Sequence, residues 1–302
     1  MNQFKLLFSI FLLSSIVLTS CLKDVELNSD DNKSQELVVL AEWEEGVDPF
    51  LRISTTFDVN AAPEPIDGNF ASVTFSEFSN SEAPRALRPD QNDLSYFFLA
   101  STTSFELKQG ESYNLKVDVP DLGMLPLTGQ TTMPFRGDID NINDVLIVAE
   151  NSDFTEISVS LNLADTPDDG SYYHLTPYII DNSGTKIYPD FSRILSGENG
   201  VTLLTHRDGI LIDISSLDNT NLLEFHLRSL LPLDINQLSD KNLYFKLNTV
   251  AEEYYLYHQS VSRQFETNQS PFTIPTLSYS QFENGYGIFT AFSSEIFESP
   301  IN

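Results

Sequence analysis

The stretch Ile157-Ser158-Val159-Ser160-Leu161-Asn162-Leu163 decides the fold class of this 302-residue chain. Apolar side chains occupy every second position, and small polar side chains lie between them. Because successive side chains of a β-strand point to opposite faces of the sheet, this alternation predicts a strand with one face in a core and the other in water. Half-buried strands of this kind are typical of antiparallel sheets.

The same pattern, or a short apolar run of strand length, recurs along the chain. It is found at Leu37–Ala41, Leu51–Phe57, Ala71–Ser76, Tyr113–Val119, Val145–Ala149, Tyr172–Ile180, Gly209–Ile214, Leu222–Leu227 and Leu243–Thr249. Glycine and proline residues fall between many of these stretches, where turns need them. We therefore predict a mainly β chain with two β-sandwich-like modules of the immunoglobulin or transthyretin type.

A boundary between the two modules is predicted at Met133–Asp138, a short polar stretch with a proline and a glycine. The N-terminal β-sandwich would span residues 37–134. A larger β-rich domain would span residues 135–302.

One amphipathic helix is predicted near the C-terminus, at about residues 250–265. Thr249 and Glu252 have the T-x-x-E spacing of a capping box. The positions that recur at helical spacing are Val250, Tyr254, Tyr257, Val261 and Phe265. This apolar stripe predicts the face by which the helix packs on a sheet.

The N-terminus predicts a lipoprotein signal peptide over residues 1–20. Lys5 precedes an apolar run from Leu6 to Leu18, and the small residues Thr19 and Ser20 then lead to Cys21, the only cysteine of the chain. We expect cleavage before Cys21, acylation of this cysteine and a flexible polar tether over residues 21–36. An ordinary signal peptide with a chance cysteine and an uncleaved anchor are the alternatives.

Charge limits the classes of partner. The chain has 44 Asp and Glu against 16 Lys and Arg, a formal net charge of −28. Nucleic acid is excluded as a partner, because its binding requires neutralisation of phosphates by basic side chains. Anionic headgroups would repel the body as well, so we expect membrane contact only through the lipid on Cys21. The acidic surface either maintains solubility or docks a basic partner or cations.

Sequence motifs for catalysis are absent. The chain contains no H-E-x-x-H, G-x-S-x-G or P-loop pattern, and its four histidines are scattered. We expect a non-enzymatic protein with structural histidines and no cofactor. A hydrolase that uses two carboxylates is the enzymatic alternative.

Two further features have a structural and a functional interpretation. Asp138, Asp140, Asn143 and Asp144 supply oxygen ligands of the kind that Ca²⁺ prefers, but the EF-hand pattern fails, and a solvated inter-domain loop is favoured over a Ca²⁺ site. Trp43, the only tryptophan, is more typical of a core edge than of a sugar-binding surface.

Motifs at the C-terminus carry a family resemblance. A tyrosine-rich helix, Tyr254–Tyr257, is followed by a Pro-Phe turn at Ser270–Pro275 and by the segment Phe282–Ala291. Together with Gly110–Leu115 and Thr131–Pro134, they resemble the Bacteroidota lipoprotein family of domain of unknown function 4249. Gln281-Phe282 replaces the Asn-Ile that this family shows. Acidic residues soon after Cys21 also resemble the signals that Bacteroidota use for export to the outer face of the outer membrane.

This resemblance implies a place in the outer membrane, exposed at the cell surface, next to a TonB-dependent receptor. We expect a non-enzymatic accessory or ligand-capturing subunit of such a transporter. A free-standing binding module for glycan or peptide and a periplasm-facing envelope-assembly lipoprotein are the alternatives. Gly285 and Gly287 are expected to form a tight turn before a last strand at Ile288-Phe289.

Overall fold

A computed structural model describes the protein over residues 36–56, 66, 68–79, 83–99, 105–150, 154–164, 172–195, 200–217, 221–229, 241–268 and 278–302. These residues belong to one compact unit, Gln35–Asn302. The predicted signal peptide, Cys21 and the tether up to residue 35 lie outside the described residues.

The described chain contains seventeen strands. The first nine are β1 (Leu37–Glu44), β2 (Phe50–Thr55), β3 (Ser72–Glu77), β4 (Arg85–Pro89), β5 (Tyr96–Leu99), β6 (Ser112–Asp118), β7 (Leu127–Thr132), β8 (Ile139–Glu150) and β9 (Thr155–Leu163). The others are β10 (Tyr172–Ile180), β11 (Lys186–Ile187), β12 (Asp190–Ile194), β13 (Val201–Leu203), β14 (Ile210–Asp213), β15 (Leu222–Ser229), β16 (Asn242–Val250) and β17 (Gly285–Pro300). A single α-helix, α1 (Glu252–Asn268), accompanies them in this part of the chain. No helix among the described residues is long and apolar enough to cross a membrane.

The strands form two sheets. The large sheet has the order β13-β14-β10-β16-β17-β1-β2-β5-β4-β3-β6-β7, with β11 paired to β10. The small sheet has the order β12-β15-β9-β8. The fold is mainly β with one helix near the C-terminus, as the alternation predicts.

A first core lies within the N-terminal half of the large sheet, which curls over on itself. Trp43 lies at its centre, 1% exposed, with its ring centroid 4.7 Å from that of Phe289 and 5.1 Å from that of Phe75. The indole N–H of Trp43 donates to the carbonyl of Phe50 at 2.9 Å. The prediction that Trp43 belongs to a core, not to a sugar-binding surface, is confirmed.

A second core lies between the small sheet and the strands β10, β14 and β16. Val159, Leu161 and Phe225 from the small sheet and Leu175 and Phe245 from the large sheet are buried in it. Strand β9, whose alternation opened the sequence analysis, shows the expected pattern, since every second residue from Thr155 to Leu163 is buried.

Strand β17 joins the two cores. Its first half pairs with β1 in parallel, and its second half pairs with β16 in antiparallel fashion. Phe289 and Ala291 contribute to the first core, while Ile301, just after the strand, contributes to the second. The large sheet therefore runs through both halves, and the domain division at residue 134 stays a prediction.

The predicted solvated loop at 138–144 is wrong from Ile139 onward, because β8 begins there. The apolar residues of this segment, Ile139, Ile142 and Val145, are three positions apart and still face the second core. Irregularities in the β8–β9 register between Ile139 and Asn141 and again between Ile142 and Asp144 make this possible. A β-bulge adds one residue to the strand and so breaks the two-residue period.

The predicted capping box is also wrong. Thr249 belongs to β16, and its hydroxyl accepts the N–H of Gly137 at 2.6 Å. The helix begins at Glu252, not at residue 250.

The packing face of the helix shares Tyr254 with the predicted apolar stripe but is rotated away from the rest of it. Its buried side chains are those of Tyr254, Tyr255, His258 and Ser262, whereas Phe265 is 49% exposed. The prediction selected the apolar residues of the helix. The buried face also contains polar residues, because the sheet below supplies hydrogen-bond partners for them.

Gly285 and Gly287 lie within β17 and not in a tight turn, which corrects the expectation from sequence. Gly287 has φ +111° and is paired with Val39 of β1. A Cβ at this position would overlap the carbonyl group of Val39. The parallel β1–β17 pairing therefore requires a residue without a side chain here.

We predict that Gly287→Ala lowers the free energy of unfolding by about 3 kcal/mol or more, because positive φ and the overlap with β1 both oppose the methyl group. Gly184→Ala is the matched control, since Gly184 has φ +85° but open space around its Cβ position. It should cost only about 1–2 kcal/mol. Urea denaturation measures both, and equal losses would contradict the close approach.

Candidate functional site

Helix α1 lies on the face of the large sheet that is turned away from both cores. Apolar side chains surround the area where the helix packs on the sheet. They include Leu211, Val250, Ile288 and Phe292. In the middle of this contact the helix presents Tyr254, His258 and Ser262, which are spaced four residues apart and are at most 2% exposed. Since residues four apart lie on one helix face, these polar side chains form a buried row.

Glu42 of β1 lies opposite this row. Because side chains alternate along a strand, Glu42 points to the helix while its neighbour Trp43 points to the first core. Its Oε1 accepts the Nε2–H of His258 at 3.0 Å. Its Oε2 accepts two N–H groups of Arg207, both at 3.1 Å. Burial by itself would raise the pKa of Glu42, but the bonds and charges of His258 and Arg207 outweigh it and lower the pKa to about 2.

The network continues from Arg207 into the sheet. The Nη1 of Arg207 donates to the hydroxyl of Tyr254 at 2.6 Å. The hydroxyl of Tyr254 lies 2.9 Å from Nδ1 of His174 on β10. The Nε2 of His174 lies 2.8 Å from the backbone carbonyl of Asp208. Burial raises the pKa of Tyr254, so its hydroxyl keeps its proton.

On the other side, the network ends at Ser262. The Nδ1 of His258 lies 2.8 Å from Nε2 of His206. The Nδ1 of His206 lies 3.1 Å from the hydroxyl of Ser262. His206 and Arg207 belong to the segment between β13 and β14, so this segment, β1, β10 and α1 all contribute to one cluster, which we call the Glu42 cluster: Glu42, His174, His206, Arg207, Tyr254, His258 and Ser262.

The acceptors at two points fix the direction of the bonds from Asp208 to Tyr254 and from Glu42 to Ser262, and they make the approach of Arg207 Nη1 to His258 Nε2 at 3.2 Å a contact between two donors. The Asp208 carbonyl can only accept, so His174 carries its proton on Nε2 and accepts from Tyr254 at Nδ1. Ionised Glu42 can only accept, so His258 carries its proton on Nε2. Its Nδ1 then accepts from Nε2–H of His206, and Nδ1 of His206 accepts from the Ser262 hydroxyl. With all three histidines neutral, each of these bonds has one donor and one acceptor.

Burial favours this neutral state. It lowers the pKa of His174 to about 3 and that of His206 to about 4. It also lowers the pKa of His258, although the bond to Glu42 opposes the shift. The positive charge of Arg207 nearby acts in the same direction as burial on all three rings.

The geometry of the Glu42 cluster suits holding elements together better than catalysis. The hydroxyls of Tyr254 and Ser262 belong to residues that are only 1% exposed, so both are closed off from solvent. Arg207 is one of the more open members, with 34% of its side chain exposed. It borders a cleft of about 280 Å³ between residues 189–191 and 203–209.

The residues that the sequence singled out lie elsewhere. Cys21 is outside the described residues. Asp138, Asp140, Asn143 and Asp144 are exposed along β8 and just before it, and the Asn143 amide donates to Asn162 at 2.8 Å. No group of three or more His, Cys, Asp or Glu side chains converges as metal ligands within the described ranges. The Ca²⁺ site stays the less favoured alternative of the sequence analysis.

Sequence reasoning missed the Glu42 cluster. It treated the histidines as scattered, yet three of the four meet here across 84 residues of chain, from His174 to His258. One signal was available: Tyr254, His258 and Ser262 recur every four residues on the predicted helix. Glu42 and Arg207 carry no local signal, because only the fold brings them together.

The comparison with protein families is decisive for classification. A family model described as domain of unknown function DUF4249 matches residues 23–296. The chain belongs to the DUF4249 family. The match includes most of the predicted tether and nearly the whole described body. The search of curated proteins gave no match.

Solved structures show only a distant likeness to this DUF4249 protein. AggA, the major subunit of aggregative adherence fimbriae type I from Escherichia coli, is 9% identical at a TM-score of 0.27, covering 56% of this chain and 97% of its own. A DUF4785 family protein from Legionella pneumophila is 14% identical at a TM-score of 0.25 and covers 72% of this chain. This chain spans about half the length of the Legionella protein, 54%. At these scores neither likeness carries an argument about function.

We predict a loss of stability between pH 7 and pH 5 that depends on His174. Its folded pKa lies below its unfolded pKa, so the unfolded chain binds the proton first, and stability falls as the pH drops below about 6.5. From its folded pKa of about 3, the loss down to pH 5 is about 2 kcal/mol.

His174→Gln removes this titration, while its amide can still accept from Tyr254 and donate to Asp208. Urea unfolding at pH 7 and pH 5, with a chelator present, should show a smaller loss for the variant than for the native protein. The same loss in both proteins would contradict a neutral buried His174.

Proposed function

We propose that this protein is a lipoprotein of the outer membrane, exposed at the cell surface, which acts as a non-enzymatic accessory or ligand-capturing subunit of a TonB-dependent transporter. The observation that carries the proposal is the place where the predicted tether enters the body. In the sequence the predicted tether ends at residue 36, and β1 begins at Leu37.

Strand β1 is well suited to hold a tethered body. It lies inside the large sheet, between β17 and β2, and not at an edge. Glu42 of this strand accepts hydrogen bonds from Arg207 and His258. Glu44, also of this strand, accepts a hydrogen bond from Lys246 of β16 at 2.7 Å. A pull on the tether would therefore act on a strand that is fixed on both edges and by side chains.

The tether sets the distance between body and membrane. Residues 22–35 would reach about 50 Å if fully extended and about 20 Å on average as a flexible coil. Such a body stays close to the membrane surface, within reach of the extracellular loops of a barrel. A tethered subunit meets its partner at a high effective concentration without a large interface.

An aromatic row on the outer face of β2 and β5 supports the ligand-capturing part of the proposal. The rings of Phe50 and Phe98 are stacked with centroids 6.1 Å apart, and those of Tyr96 and Phe98 are 6.4 Å apart. The guanidinium of Arg52 lies 5.5 Å from the centre of the Tyr96 ring, and Phe98 is 40% exposed. Exposed aromatic groups of this kind favour contact with a glycan, a peptide or another protein.

The test is an affinity purification of the full-length protein from native outer membranes in mild detergent, followed by mass spectrometry. We expect a TonB-dependent barrel in near-equal amount. Cys21→Ser is the control, because it removes the acylation site and should release the body from the membrane and lower the yield of barrel.

Two outcomes would reject the proposal. If no TonB-dependent barrel accompanies the protein, a free-standing binding module for glycan or peptide replaces it. If the body on intact cells resists protease, it faces the periplasm, and a role in envelope assembly replaces it.

A further inference from the structure

Two neighbouring loops carry exposed apolar side chains at one end of the first core. Residues 119–126 connect β6 to β7, and residues 68–71 lead into β3. The loops are neighbours because Ser72, at the start of β3, is paired with Asp118, at the end of β6. Their most exposed apolar side chains form a surface that we call the apolar tip: Phe70, Leu122 and Leu125, which are 55%, 45% and 64% exposed.

The apolar tip lies at the end of the body that the predicted tether enters. Leu127, the first residue of β7, lies beside Gly285, since a Cβ at Gly285 would come within 3.0 Å of the Leu127 side chain. Gly285 is in turn paired with Leu37, the first residue of β1. The predicted tether, residues 21–36, ends at this point. A lipid on Cys21 would therefore keep this end of the body nearest to the membrane.

The first core holds the loop that presents Leu122 and Leu125. Val119 is buried in this core, and Met124 packs against it. Between them, Pro120–Leu122 form a single 3-10 turn, in which the N–H of Leu122 donates to the carbonyl of Val119 at 3.2 Å. The two exposed leucines are therefore presented by a loop that is fixed at both ends. Such preorganisation lowers the entropy that is lost when the leucines become buried in a contact.

Charge opposes a contact of the apolar tip with lipid only weakly. Asp121 is the only charged residue among residues 68–72 and 119–127, in a chain with 44 acidic and 16 basic residues. Asp118, just above the tip, has Lys116 as an ion-pair partner at 3.9 Å. At physiological ionic strength, charges more than about 8 Å away are largely screened. The acidic surface of the rest of the body therefore has little effect at this end.

We propose that the apolar tip inserts into the headgroup region of the membrane to which the tether is attached. Apolar side chains enter the boundary between headgroups and acyl chains, and the strength of binding increases with the apolar area that they bury. Three side chains alone bind a membrane weakly, but the tether gives the tip a high effective concentration at the surface. The contact adds to the lipid anchor and fixes which end of the body faces the membrane.

The opposite end of the same strands provides an internal control. Phe78 directly follows β3, is 69% exposed, and donates its N–H to the carbonyl of Ser112, the first residue of β6. The seven residues of β6 span about 20 Å. When the apolar tip lies in the headgroup region, Phe78 therefore lies in water, although it is the more exposed apolar side chain.

The test measures the depth of single labels in the full-length acylated protein. Because acylation occupies the only native cysteine, Leu125→Cys and Phe78→Cys each introduce one free thiol for an environment-sensitive fluorophore. The protein is reconstituted alone into phosphatidylcholine vesicles that contain nitroxide-labelled phosphatidylcholine. We expect the nitroxide to quench the label at position 125 at least about threefold more than the label at position 78. Leu122→Cys repeats the measurement if Leu125→Cys fails to fold.

A second variant tests the apolar contact itself. Leu122→Gln removes apolar area from the tip and should lower the quenching of the label at position 125 about twofold, whereas Phe78→Gln should leave it unchanged. Equal quenching at positions 125 and 78, or none at position 125, would overturn the proposal. A label at position 125 that is protected only in native outer membranes, and not in the vesicles, would assign the tip to a protein partner and overturn it as well.

The proposal rests on the acylation that the proposed function assigns to Cys21, and the same reagents separate the two. Reaction of the fluorophore with the unsubstituted protein would reveal a free Cys21 and overturn both. An unreactive Cys21 together with an unquenched label at position 125 would overturn the apolar tip alone. No transporter is present in the vesicles, so the outcome does not depend on that partner.

Discussion

The carboxylate of Glu42 lies beneath helix α1, where it accepts hydrogen bonds from Arg207 and His258. Only 23% of the Glu42 side chain is exposed, and well-placed charged and polar partners must offset the hydration that its carboxylate loses. Those partners come from the segment before β14 and from α1, which are 165 and 216 residues away in the chain. The positions of both elements on the sheet therefore depend on the ionised state of one residue in β1.

The Glu42 cluster and strand β17 connect the two halves in complementary ways. The backbone of β17 joins β1 to β16, so the large sheet is continuous through both cores. The side chains of the cluster then fix α1 across this junction on the outer face. Because Nδ1 of His174 and Nδ1 of His258 each accept a hydrogen bond, protonation of either nitrogen would place a second donor against its partner. Under acidic conditions we expect this face to loosen before the two apolar cores.

Sequence patterns predict the strands where alternation is regular and fail where another constraint replaces it. Thr155–Leu163 and Tyr172–Ile180 follow from side-chain alternation and apolar content, and Trp43 follows from its size. The start of β8 was missed because bulges space Ile139, Ile142 and Val145 by three. Beyond Tyr254, the packing face of α1 was misassigned because His258 and Ser262 are polar, and their partners Glu42 and His206 are brought near only by the tertiary fold.

A double-mutant cycle of Glu42→Gln and Arg207→Met measures the central interaction most directly. Both side chains keep some exposure to solvent, so we predict a coupling energy of about 1–3 kcal/mol in urea unfolding at pH 7. The same cycle on Glu45 and Arg136, an ion pair of similar N–O distance with a half-exposed arginine, should give a smaller coupling. Additive effects of the two changes at Glu42 and Arg207 would contradict the account, because the pair would then not hold β1 to the rest of the structure.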